Sequence, residues 1–126
     1  MSAPQVCTAA VATGALSATT TVYLAHGQSG EWQLTGLTLM PQAATAADGS
    51  NKYVIAFTQG SDTVATSHDT SSTALVAGTA QAMTLTGTAG SAAVLGATDA
   101  ITIVSTETGT QTMSVTVVAS FQKVRV

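Results

Sequence analysis

The chain has 126 residues and a formal net charge of −3, and only 7% of its residues are charged, against about 25% in ordinary globular proteins. Its three basic residues, Lys52, Lys123 and Arg125, are too few to neutralise a phosphate backbone or to hold an anionic bilayer, so neither nucleic acid nor membrane is an expected partner. The apolar fraction of 45% excludes disorder, which needs low hydrophobicity, and the length suits one domain that can bury its own core.

Thr, Ser, Ala and Gly stand where charge is missing. Thr and Val are β-branched and restricted at χ1, which fits a pleated strand better than a helix, so the composition predicts an all-β protein with almost no helix. Residues 1–18 form an extended Ala/Thr-rich N-terminal segment, read as an arm or an edge strand, and residues 19–126 as a single sandwich domain. Strands are predicted over 19–25, 32–40, 52–58, 62–67, 81–86, 100–105 and 111–125, with an eighth over 6–12 or 73–77. Turn chemistry separates them at 26–30, 46–51, 59–61, 87–91 and 107–109. The strongest turn signal is Asp48-Gly49-Ser50-Asn51, because Gly and Asn tolerate positive φ.

Two strands change phase partway. Between 32 and 40 the apolar residues run Trp32, Leu34, then Leu37, Leu39, which predicts a β-bulge at Gly36. The last strand alternates Met113, Val115, Val117, Ala119, Phe121, then switches to Val124 and Val126. Either a bulge falls near Gln122, or the tail leaves this core and buries its valines elsewhere. Seven or eight short strands predict a two-layer antiparallel β-sandwich, jelly-roll-like because the Cys–Trp–Cys pattern of immunoglobulin domains is missing.

Catalytic chemistry finds no constellation in the sequence. His26 and His68 are the only histidines, and His68-Asp69 is the only adjacent acid–base pair. Neighbours on a strand point to opposite faces, and in a turn Asp69 would serve local backbone donors. Neither histidine is expected to be catalytic or metal-bound, and exchanging both for Gln is expected to leave assembly and stability nearly unchanged. No phosphate loop, nucleophile elbow or zinc signature occurs, and no cofactor is expected. Asp48, Asp62, Asp69, Asp99 and Glu107 are scattered singly over turns, where solvated acids are the default and a calcium site has no supporting spacing. Cys7, the single cysteine, has no cation nearby in sequence to activate it and reads as a small apolar residue.

Trp32 at a strand start reads as a core lid or interface anchor rather than a sugar platform. The ends of the chain supply the remaining candidate assembly contacts: Val6 and Val11 in the N-terminal segment, then Phe121, Lys123, Val124, Arg125 and Val126. An arm that cannot fill its own core is available to a neighbour, and Lys123 with Arg125 could meet acidic surface.

Several segments follow one another along the chain: Thr21-Val22-Tyr23-Leu24-Ala25, Leu34-Thr35-Gly36-Leu37-Thr38-Leu39 and Asn51-Lys52-Tyr53-Val54-Ile55-Ala56-Phe57. Next come Ala77-Gly78-Thr79-Ala80-Gln81-Ala82-Met83-Thr84-Leu85 and Leu95-Gly96-Ala97-Thr98-Asp99-Ala100-Ile101-Thr102-Ile103, and then Thr108-Gly109-Thr110 before the closing strand. Their order resembles that of capsid decoration, cement and head-fibre proteins of tailed bacteriophages. The resemblance implies a non-enzymatic protein made in the host cytoplasm and mounted on the outside of a virion. Its implied partners are the major capsid protein and copies of itself, a trimer being natural at a three-fold axis. A receptor- or carbohydrate-binding module of a phage fibre is the alternative, and a hydrolase the outsider.

Overall fold

Period-two alternation gives each strand one inward and one outward face. In the computed structural model, which describes residues 5–86 and 94–125, it produces nine strands and no helix among the described residues. In chain order these are β1 (Val6–Ala12), β2 (Thr20–Leu24), β3 (Glu31–Pro41), β4 (Lys52–Gln59), β5 (Asp62–Asp69), β6 (Gln81–Ala82), β7 (Val94–Leu95), β8 (Ile101–Thr108) and β9 (Val115–Arg125). They form two antiparallel sheets packed into a β-sandwich. One has the order β1-β9-β3-β6 with β7 also on β3, the other β2-β8-β4-β5.

Of the two places open for an eighth strand, Val6–Ala12 forms β1, while 73–77 contributes only the bridge Leu75↔Thr45. The strand expected over 81–86 shortens to β6 plus a bridge from Leu85 to Ala65. The last strand begins at Val115 rather than at 111, because Met113 pairs instead with Leu16. The two-residue β7 was not anticipated, and the turn expected at 87–91 lies outside the described residues. Glu107 and Thr108, expected in a turn, instead pair with Tyr53 and Lys52 at the end of β8.

Both phase changes are register shifts in the β3–β9 ladder. Leu34 pairs Phe121 and Gly36 pairs Ser120, so Thr35 is the extra residue, exposed and donating its hydroxyl to the Ser120 carbonyl at 3.1 Å. At the far end Glu31 pairs Arg125 and Trp32 pairs Lys123, leaving Val124 as the extra residue, two positions beyond the expected break at Gln122. The bulge at Thr35 keeps Trp32, Leu34, Leu37 and Leu39 of β3 turned inward together with Val115, Val117, Ala119 and Phe121 of β9. They meet Tyr53, Ile55 and Phe57 of β4 and Ile101 and Ile103 of β8 from the other sheet.

The turns hold by two different means. Gly60, at φ 62°, supplies the positive φ that the two-residue β4–β5 hairpin needs at its first central position. The loop at 48–51 departs from expectation, since neither Gly49 nor Asn51 has positive φ. Its bend is made by the Asp48 carboxylate, which accepts from the backbone N–H of Ser50 (2.8 Å) and Asn51 (3.2 Å). Asn51 in turn takes the Thr110 N–H at 3.0 Å and so ties this loop to the β8–β9 turn. Gly109 lies in that turn at φ 80°, and a Cβ there would sit 2.5 Å from the Ser50 carbonyl oxygen.

Gly109→Ala should therefore combine a left-handed backbone penalty of roughly 1–2 kcal/mol with a clash against main chain. Gly14, at φ 71° with nothing within 4 Å of a Cβ, isolates the first effect. Urea unfolding should show Gly109→Ala losing at least about 1 kcal/mol more than Gly14→Ala; equal losses would mean that the two loops are not in contact.

Candidate functional site

The inward phase of β2 does not stop with the strand: Val22 and Leu24 are followed by His26, which is only 4% exposed. Its Nδ1 accepts from the Gln28 N–H at 3.0 Å, which puts the ring proton on Nε2. Nε2 then donates towards the carbonyls of Leu95 (3.1 Å) and Gly96 (3.0 Å). The ring stands edge-on to Phe121 at 5.6 Å and tilted against Trp32 at 6.0 Å. With both nitrogens engaged by main chain, His26 works as a tie between the β2–β3 loop and β7. The sequence reading missed this role, although period-two continuation past Leu24 was a signal for it.

Trp32 is buried, and its Nε1–H donates to the Ser29 carbonyl at 3.0 Å. The Lys123 ammonium lies 5.8 Å from the indole centroid, a cation–π contact that covers the ring. Beside them opens a cleft of about 410 Å³ lined by Gln5, Val6, Cys7, Gln28, Ser29, Trp32 and Lys123. A sugar could stack on Trp32 only after displacing Lys123. Cys7 is half-buried, and burial pushes its thiol up from the usual range, which disfavours the reactive thiolate.

His68 pairs Ile55 inside β5, and Asp69 pairs Val54, so the two side chains leave the strand on opposite faces. His68 is also buried, with Nε2 against the Thr73 carbonyl at 3.1 Å. The expectation that both histidines could become Gln without loss of stability does not fit these positions, because each is enclosed and bonded to main chain. Asp69 accepts from the Ser71 N–H at 2.8 Å, and its bonds to Ser71 hold its carboxyl below the ordinary value. Asp48 is likewise lowered, by the N–H of Ser50 and then by Asn51. Tyr53, fully buried, donates to Glu107 Oε2 at 2.8 Å, and desolvation together with that carboxylate pushes its phenol up to about 12. Among the described residues no three of His, Cys, Asp and Glu gather in a metal-binding group.

The residues singled out for assembly divide sharply. Phe121 is fully buried, and Trp32, 5% exposed, packs in the core and reaches the outside only at the wall of the cleft, under Lys123. Val11 packs half-buried against the same core. Val6 (74%) and Val124 (43%) are on the surface, Lys123 lies over Trp32, and Arg125 pairs Glu31 through the main chain. Val126 lies outside the described residues. The outward face of the first sheet between these ends is without charge. Val6, Thr8 and Ala10 of β1 continue into Gln122, Ser120 and Val118 of β9.

No family model, curated protein or solved structure matches the chain.

Two outcomes follow from this chemistry. His26→Leu strands the Gln28 N–H and the Leu95 and Gly96 carbonyls, and should cost about 2 kcal/mol or more in urea unfolding; a neutral effect would remove His26 from the structural role given it here. Because Asp48 and Asp69 have lowered folded-state values, their stabilisation is present above the unfolded carboxyl value near 3.9 and is lost as pH falls through the folded value. The thermal midpoint should thus hold from pH 7 to about 5 and drop below about 4, and Asp48→Asn, which keeps an acceptor oxygen but does not titrate there, should flatten part of that drop. An acid profile unchanged by this substitution would show that the Asp48 turn is not linked to folding.

Proposed function

We propose that this chain is a non-enzymatic structural protein that decorates and stabilises the outer surface of a phage capsid through protein–protein contacts with the shell and with its own copies. The observation that carries the reading is the uncharged outward face of the first sheet, spread over neighbouring strands and made of Val, Thr, Ala, Ser and Gln. Such a face gains affinity from area and repetition rather than from a pocket or a titrating group. The ordered run of segments resembling phage decoration proteins supports the same reading. The strand order β1-β9-β3-β6 over β2-β8-β4-β5, in which the chain crosses between sheets at most connections, supports a jelly roll as the form of the sandwich.

The fibre-head alternative, a receptor- or carbohydrate-binding module, would use the cleft beside Trp32, where Lys123 already occupies the ring face. Quantitative mass spectrometry of particles purified from infected cells separates the two. Decoration predicts copies on the order of hundreds per particle, matching the repeat of an icosahedral shell, and loss of particle heat resistance when the chain is deleted. A handful of copies per particle, or none, would overturn it.

A further inference from the structure

β1 ends the first sheet, and its bonding pattern can be read residue by residue. Thr13 N–H donates to the Val115 carbonyl and Lys123 N–H to the Gln5 carbonyl, both at 2.9 Å, with an unbroken register between them. In an antiparallel ladder this alternation turns the main-chain groups of Cys7, Ala9 and Val11 towards β9, and those of Val6, Thr8, Ala10 and Ala12 away from it. Four N–H and four C=O groups therefore point out of the sheet edge, and no described residue bonds to them. Sheet edges are ordinarily blunted by charge, proline or a bulge. β1 has none of these, and no Asp, Glu, Lys or Arg occurs before Glu31.

The neighbouring edge is similar. β1 and β2 lie in contact along one side of the sandwich, one from each sheet. Cys7, Ala9, Val11 and Val22 are only partly covered there although they pack against the core. A strand added to β1 would satisfy the backbone and close over these side chains together. The strand best suited is β1 itself. Its side chains are small, its neutrality removes the like-charge repulsion that normally prevents identical edges from meeting, and antiparallel pairing of two identical strands closes on itself about a two-fold axis.

We infer that this protein forms a two-fold dimer by antiparallel pairing of β1 with β1 of a second copy. One register uses all four outward residues, with Val6 opposite Ala12 and Thr8 opposite Ala10. It adds about eight main-chain hydrogen bonds, two for each hydrogen-bonded pair. Ala9 then faces its own counterpart on the axis as a non-hydrogen-bonded pair, with Cα atoms about 4.5 Å apart, while Cys7 faces Val11. The two-fold axis differs from the three-fold placement that the resemblance to decoration proteins implies. The inference stands independently of the virion reading, since it rests on the strand edge alone.

Sedimentation equilibrium of the full chain is expected to give a monomer–dimer equilibrium. Ala10→Pro removes an outward N–H without touching the ladder to β9, and Ala10→Lys brings like charge close to the axis. Each should leave the far-ultraviolet β spectrum intact and raise the dimer dissociation constant at least about tenfold. In a Cys7→Ala background, Ala9→Cys should form an intermolecular disulfide under mild oxidation, because the spacing on the axis lies within disulfide range. The parent, with Cys7 opposite Val11, should not cross-link this way. A parent that stays monomeric to millimolar concentration, a trimer or open polymer, a dimer unaffected by Ala10→Lys, or an Ala9→Cys chain that does not cross-link would each overturn the inference.

Discussion

The β3–β9 ladder is the constraint on which the rest of the fold depends. These two eleven-residue strands lie side by side in the first sheet, with β1 on one flank and β6 and β7 on the other. One slipped residue turns every later side chain to the other face, so each break in the apolar alternation has to be absorbed by a bulge. The corrections fall on opposite strands, Thr35 on β3 and Val124 on β9. The first preserves the inward run from Trp32 to Leu39. The second lies beyond Lys123, which still pairs Trp32 in the register of Leu34 with Phe121 and lies over the indole.

Around this floor, most buried polar side chains bond to main chain, while the Tyr53 hydroxyl bonds to the Glu107 carboxylate. Thr45 donates its hydroxyl to the Thr112 carbonyl, and Thr70 accepts the Tyr53 N–H on its own hydroxyl. His26 bonds to the carbonyls of Leu95 and Gly96 at the end of β7, and His68 to the Thr73 carbonyl in the segment that follows β5. Burying such groups unpartnered would be costly, so these bonds also fix where each loop lies. Ser105 is the exception: its hydroxyl is buried opposite Ile55 and has no partner among the described residues.

Because histidines, tryptophan and most aromatic rings are committed inside, the surface is left to Thr, Ser, Ala, Gln and a few valines. A surface of this kind has little electrostatic repulsion to keep neighbours apart. The proposed contact role would draw on area and on open strand edges. Charge, where it occurs, is local: Asp48 and Asp69 pin turns, and Lys123 covers an indole.

The sequence by itself determined the class of fold and most strand positions, because period-two alternation and Gly/Asp/Asn punctuation are local properties. Thr35–Gly36 and the end of β9 were legible as breaks for the same reason, since a phase change shows in the alternation itself. The β-sandwich, with 6–12 as one of two possible places for an edge strand, was also within reach. What the tertiary structure decided were matters of partnership. That Asp48, and not a left-handed Gly49 or Asn51, makes its turn depends on where the carboxylate finds N–H donors. His68 faces inward only because β5 carries an extra residue against β4 between Ala65 and His68, a shift that residues 62–69 do not signal. Phe121 and Trp32 looked equally able to face a partner or a core, and only the second sheet settled which. The β1 edge was in the sequence as an uncharged stretch, but which of its hydrogen-bonding groups are free depends on its register with β9, more than a hundred residues away along the chain.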